Sequence, residues 1–398
     1  MMTTNVNDLG FRPFDADNHY YEAPDAFTRH LEPQLAKRCM QWAEIDNRTR
    51  LLVGGTINRF LPNATFDPIA RPGALYDYYR GKAGADLRTA FGDLDALADR
   101  PEYQNRDARI EVMKEQGLDG AILLPTLAMG MEESLKHDPE AVTAAFRAFN
   151  RWIAEDWGFH NDGLLYGAPY ITLANPDSAL TEIEFAAEHG AKVVCMRAAP
   201  PPTNGPSRSP GDPVYDRFWA TAAEAGIVVA YHSGDVGTAF FAERWGDQAA
   251  HQAFSMTPLY SAVTVDRAVF DVLAVLTCHG VFGRHPTLKV ATIESGSEWL
   301  PLLFSKMEKV YKRNADSFTE HPHDTFRERL WVSPHFEDDK RAVADLLGVE
   351  HVLMGSDWPH AEGLAHPLDY SGELERDGFS EEEVRLVMRD NALAMLAG

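Results

Sequence analysis

Asp17 and His19 stand two positions apart in the run FDADNHYYE, His232 lies in YHSG, and Asp357 lies in GSDWPH. In an extended strand residues i and i+2 share a face, so Asp17 and His19 offer a carboxylate and an imidazole to the same side. With His232 and Asp357 they make a donor set of two imidazole nitrogens and two carboxylates. Such a set suits one divalent ion, Zn2+ or Mn2+, and no thiolate competes for it. Two carboxylates balance the charge of the ion, and a further position stays open for water or substrate. Asp and Asn are also common turn residues, so the run by itself reads first as a turn.

The elements that carry these residues decide between the two readings. Short apolar runs alternate with helical patterns along the chain, and eight of them read as strands: FRPFDADNHYY, DGAILLPT, LLYGAPYITL, AKVVCMRA, GIVVAYHSG, LKVATIESG, RLWVSPHFE and HVLMGSDWPH. Most are continuous runs of Val, Ile, Leu and Ala, as expected of parallel strands covered on both faces. Eight β/α units predict an α/β fold, a TIM-like (β/α)8 barrel forming one domain over 1–398. Two insertions interrupt it. One, at about 32–101, contains a hairpin pattern with Asp46-Asn47 at its turn; the other, at about 233–258, is an aromatic, Gly-containing loop after the fifth strand that includes His251. The polar residues gather at the carboxyl ends of the strands: Asp17 and His19, Arg197, His232, Glu294, His335 and Glu337, then Asp357 with His360 beyond. In barrel enzymes that rim holds the active site. Asp15 lies one step deeper in its strand and receives no metal role, and Glu22 is read as a loop residue near the pocket.

Composition narrows the partners. Lys+Arg 37 against Asp+Glu 60 leaves a net charge of −23 with no basic run, which argues against nucleic acid or anionic lipid. No stretch approaches a membrane span and the first residues lack a signal-peptide pattern, so a cytoplasmic protein is expected. Three cysteines far apart suit a reducing compartment and no disulfide framework. Glycine-rich nucleotide loops and the G-x-S-x-G elbow are missing, which removes dinucleotide, nucleoside-triphosphate and serine-hydrolase readings.

Together DADNHYYE, YHSG, RHPTLKVATIESGSEWLP, MGSDWPHAEG and the closing VMRDNALAML resemble the amidohydrolase superfamily. Within it they are similar to the metal-dependent decarboxylases typified by aminocarboxymuconate semialdehyde decarboxylase and the resorcylate decarboxylases. The resemblance implies that Asp17, His19, His232 and Asp357 hold one divalent ion, Zn2+ ahead of Mn2+, and that the chain forms a homodimer or higher homo-oligomer. Those decarboxylases carry a histidine in an H-x-G setting at the end of the sixth strand, where ATIESGSEW places Glu294. Proton transfer is therefore assigned to Asp357 or Glu294, with His279, near the start of that strand, as a further candidate. Arg197, whose planar fork suits a carboxylate, is the expected anchor of a small acidic substrate, with His335 and His360 as further contacts. The leading expectation is decarboxylation of a small aromatic or unsaturated carboxylic acid. Metal-dependent hydrolysis of an amide, ester or lactone is the alternative, and a non-catalytic ligand-binding barrel ranks below both.

Overall fold

The computed structural model describes residues 9–61, 63–81, 87–247, 252–253, 256–264 and 266–397, so His251 and parts of both insertions lie outside the described residues. The barrel strands are β1 (Phe14–His19), β2 (Gly120–Leu124), β3 (Leu165–Gly167), β4 (Val193–Arg197), β5 (Val228–His232), β6 (Val290–Ile293) and β7 (Leu330–Val332). Every residue in them is buried, which is why their sequences are apolar runs rather than alternating ones. Parallel pairing joins β1 to β2 to β3, and β4 through β7 in chain order. Single bridges close the ring: Tyr170 with Cys195 joins β3 to β4, Val332 with Val352 adds the eighth segment to β7, and Asn18 with Trp358 returns that segment to β1.

The eighth position departs from the expected strand. HVLMGSDWPH has an extended path stitched by isolated bonds, Leu353 N–H to Val332 O (2.8 Å), Asp357 N–H to Asp17 O (2.8 Å) and His19 N–H to Trp358 O (2.8 Å). Gly355 explains part of this. A Cβ there would lie 2.6 Å from the Asp17 Cβ, so the segment approaches β1 more closely than a side chain permits.

The helices begin where sequence chemistry asks them to. Asn105 caps α1 (Arg106–Gln116), Asp138 caps α2 (Pro139–Asp156) and Asn175 caps α3 (Pro176–Glu188), each accepting a bond from a first-turn N–H. The first insertion holds the expected hairpin, Met40–Ile45 paired antiparallel with Arg48–Val53, with Asp46 and Asn47 both at positive φ as a tight two-residue turn requires. The second is not one loop: it contains a short helix, Ala239–Glu243, and leads into another, Pro258–Thr264. No described helix is long and apolar enough to cross a membrane.

Candidate metal centre

The carboxyl ends of β1, β5, β6 and the eighth segment converge. Asp17, His19, His232 and Glu294 each present a donor atom within 4.8 Å of the others, and His19, Glu294, Asp357 and His360 form a second such group that shares two members. His19 Nε2 lies 3.1 Å from Asp17 Oδ1, 3.4 Å from Asp357 Oδ1 and 3.8 Å from Glu294 Oε2. His232 Nε2 lies 3.0 Å from Glu294 Oε2 and 3.5 Å from Asp17 Oδ1. Glu294 and Asp357 reach this point through left-handed backbone, φ 49° and 55°. That conformation costs on the order of 1–3 kcal/mol for a residue other than glycine and turns each side chain back over the strand ends.

A divalent ion fits the donors. His232 Nδ1 is 2.8 Å from the Ser233 carbonyl, which assigns its proton to that nitrogen and leaves a lone pair on Nε2. This buried Nε2 has no well-directed hydrogen-bond partner and faces two carboxylates, acceptor against acceptor. Burial lowers the His232 pKa, yet Glu294 and Asp17 outweigh it and hold the imidazole well above its ordinary value. Without a cation, a proton therefore takes the place that a metal would fill. Burial, then the Glu294 and Asp17 carboxylates, keeps Asp357 well above the usual carboxylate range. Burial, then His360, pushes His19 down to about 4, so it is a neutral nitrogen donor at physiological pH. Three carboxylates and two imidazoles crowded out of water are what a divalent cation reconciles.

The structure thus places Asp17, His19 and His232 in one donor group with Glu294, and Asp357 in a second that shares His19 and Glu294 with it. Other expected residues are placed differently. His360 is spent on both nitrogens, Nδ1 to Asp357 Oδ1 at 2.6 Å and Nε2 to Thr126 Oγ1 at 3.0 Å, and its ring stacks on His19 with centroids 4.1 Å apart. Its contacts hold it against Asp357, an arrangement of the kind common behind metal ligands. Arg197 is also corrected: its Nη1 binds Glu133 Oε2 at 2.6 Å and its Nε lies 3.5 Å from Glu132 Oε2, so the guanidinium is consumed by a buried ion-pair network. His279 is exposed at the C-terminal end of α4 (Arg267–Cys278) and bonded to Ser209 Oγ at 2.6 Å, outside the cluster. His335 is half-buried beside Gly296, with its backbone N–H bonded to Asp338.

Asp15 and Glu22 are structural. Asp15 accepts from the Ser356 N–H (3.0 Å) and hydroxyl (2.5 Å) and from the Asn18 amide (3.0 Å), tying β1 to the eighth segment. Glu22 is buried, not a pocket-loop group, and receives the N–H groups of Thr126, Leu127 and Ala128. Two other residues near the centre carry no advance signal in the sequence. Arg109 of α1 is fully buried and donates through Nη1 to the His19 carbonyl and to Asn18 Oδ1, both at 2.6 Å. Glu362, in the turn after the eighth segment, is half-buried within electrostatic reach of Asp357 and Glu294.

With this geometry in view, the chain's relatives carry more meaning. The family described as Amidohydrolase matches residues 15–397. No protein of curated function matches the sequence. Among solved structures, an amidohydrolase from Mycobacterium avium subsp. paratuberculosis K-10 is 43% identical, with 97% of this chain and 99% of that one covered and a TM-score of 0.91. A dihydroxybenzoic acid decarboxylase from Polaromonas sp. JS666 with bound manganese is 16% identical (83% and 96% covered, TM-score 0.57). A 5-carboxyvanillate decarboxylase from Sphingomonas paucimobilis is 15% identical (97% and 99% covered, TM-score 0.56), and both share the fold at that distance. A family match over nearly the whole length, joined to a 43% identical relative, shows that the chain belongs to the amidohydrolase family.

Proposed function

We propose that this protein is a metal-dependent hydrolase of a small amide, ester or lactone. The observation that carries the reading is the Glu294 carboxylate, 3.0 Å from His232 Nε2 and inside the donor cluster. A decarboxylase has to anchor a carboxylate and deliver a proton to carbon. Here the end of the sixth strand offers a carboxylate already engaged with His232, and the expected anchor Arg197 is held by Glu132 and Glu133. Both features favour hydrolysis over the decarboxylation expected from the sequence.

Asp17, His19, His232 and Glu294, with Asp357 completing the set, are the residues that would hold the ion, and a mixed N/O set accepts Zn2+ as well as Mn2+. We retain Zn2+ as the proposed ion. Bound there, it supplies Lewis acidity, which polarises a carbonyl and acidifies water. The remaining work falls to the chain. Asp357, aimed by His360 and through it by Thr126, accepts the proton of the attacking water and returns it to the leaving group. A cytoplasmic homodimer or higher homo-oligomer is part of the same proposal.

Incubation of metal-loaded protein in heavy-oxygen water with lactones, esters, amides and aromatic acids tests the reading. Heavy oxygen in a hydrolysed product is the expected result. Bicarbonate release from an aromatic acid, with no heavy oxygen in the organic product, overturns it.

A further inference from the structure

We propose that Glu308, His321 and His323 form a second, peripheral site for a divalent ion of the zinc class, which ties together the corner at which the chain enters β7. The site is separate from the central donor cluster and shares no residue with it.

A bend in the chain brings the three residues together. Glu308 lies on α5 (Trp299–Asn314), which follows β6, and the two histidines lie at the start of α6 (Pro322–Arg329), which runs directly into β7 at Leu330. The bend therefore leads into the amino-terminal end of β7, whereas the central donors stand at the carboxyl ends of their strands. Residues at the amino-terminal face of a barrel serve stability. The run EHPHD makes the bend firm. Pro322 opens α6 between the two histidines, the His321 carbonyl accepts the Asp324 N–H at 2.9 Å, and Glu320 accepts the Thr325 hydroxyl at 2.8 Å and pairs with Arg329. Ring packing holds both imidazoles, His321 on Tyr311 with centroids 4.4 Å apart and His323 on Phe304 at 4.5 Å. Little side-chain freedom is left to lose when a ligand binds.

The three half-buried side chains each offer a donor atom within 4.8 Å of the other two, and His321 Nε2 lies 3.1 Å from Glu308 Oε2. Ligand atoms around a tetrahedral Zn2+ stand about 3.3 Å apart, so the group needs little movement to close on an ion. The hydrogen bonding of His323 points the same way. Its Nε2 lies 2.9 Å from the Phe304 carbonyl, which only accepts, so that nitrogen carries the proton and Nδ1 presents its lone pair. Nδ1 has no hydrogen-bond partner among the described residues. An imidazole fixed by a backbone carbonyl at one nitrogen and bare at the other is the arrangement of a metal-binding histidine. His321 is set differently without an ion: Nδ1 accepts the His323 N–H at 3.2 Å, and Nε2 donates to Glu308. An ion between Nε2 and Oε2 moves the ring proton to Nδ1 and costs only that one long bond at the first turn of α6. Lys312 Nζ holds the other oxygen of Glu308, Oε1, at 2.7 Å, so Oε2 stays toward the histidines and the ammonium is the competitor of the ion. Two imidazoles with one carboxylate favour Zn2+ over Mg2+ or Ca2+, and water completes the shell.

Equilibrium dialysis of the full chain against Zn2+, with Mg2+ for comparison, tests the assignment. Wild-type protein should take up one more equivalent of Zn2+ than H321Q/H323Q, whatever the central cluster holds, and Mg2+ should not fill the difference. E308Q should weaken that equivalent by about tenfold or more. K312A, which removes the competing ammonium and touches no ligand, should tighten it several-fold. Equal Zn2+ uptake by wild type and H321Q/H323Q overturns the proposal, as does Mg2+ binding there as well as Zn2+. Where H321Q/H323Q loses the central equivalent too, through misfolding, K312A decides: tighter uptake upholds the site, and unchanged uptake overturns it. Because the readout is the difference between variants, the outcome does not depend on the hydrolase reading.

Discussion

Glu294 leaves β6 through a left-handed backbone and places its carboxylate between two imidazoles, so its replacement tests a ligand against a proton carrier. As a ligand, E294Q should weaken metal affinity by roughly 100-fold or more, beyond the 10–100-fold typical of losing a group behind the ligands. Equilibrium dialysis against a chelating metal buffer reads this directly, with H279A, remote from the cluster, unchanged. Full metal affinity combined with lost turnover would instead make Glu294 the proton carrier. Asp17, His19, His232 and Asp357 were legible in the sequence because each ends an apolar strand, and period-two geometry tells which face a strand-end residue takes. The proposed ligand position of Glu294 was not, because it depends on φ 49°, which no pattern of neighbours reveals. The partners of Arg197 and His360 were hidden for a related reason: sequence shows a cation or an imidazole at the rim but not the groups already bonded to it.

Three elements carry four of the five proposed ligands of the ion, His19 and Asp17 on β1, Asp357 on the eighth segment and Glu294 just past β6, and Arg109 of α1 fastens the first of them. Its Nη1 holds the His19 carbonyl and Asn18, its Nε holds the Glu102 carbonyl at 2.8 Å, and its guanidinium lies 4.4 Å from the Trp358 ring on the eighth segment. Charged hydrogen bonds of this kind contribute about 1.5–3 kcal/mol each. R109A should therefore destabilise the protein by at least about 3 kcal/mol in urea unfolding and weaken metal binding as well, since the ligand-bearing strand end loses its tether. R109K, which keeps the charge but cannot match the fork, should recover stability in part and metal affinity less; metal affinity unchanged in both variants would refute the tether. The strands themselves were readable because double-sided burial writes them as continuous apolar runs. The eighth was readable as a position but not as irregular backbone, since its path follows from the close approach of Gly355 to Asp17. The aromatic insertion read as a loop because Gly residues break up its short helical stretches.

For the whole molecule, stability, charge and metal are linked through the same buried acids. Asp15 is raised to about 6 and Glu22 to about 7, in each case by burial first, and Asp357 stands well above its ordinary value. A carboxyl whose folded pKa exceeds its unfolded one gives stability that is full below the unfolded value, near 4, and is lost as pH rises through the folded value. His232, also raised, acts in the same direction through its own higher range, while His19, pushed down to about 4, acts oppositely between that value and its ordinary 6.5 and is outnumbered by the raised groups. Asp17 and Glu294, held below their ordinary values, lose their contribution only on the acid side of that window. The net charge of −23 adds repulsion that grows with pH. Metal-free protein should accordingly melt at a lower temperature at pH 8 than at pH 5. A bound cation reverses the order of costs, because it prefers deprotonated ligands and relieves the repulsion among Asp17, Glu294 and Asp357. Ion at 100 times its Kd stabilises the fold by about 2.7 kcal/mol. Scanning calorimetry of chelator-treated protein, with and without added Zn2+, should show a larger rise in melting temperature at pH 8 than at pH 5. An equal rise at both pH values would separate metal binding from these acids and would place the ion elsewhere on the molecule.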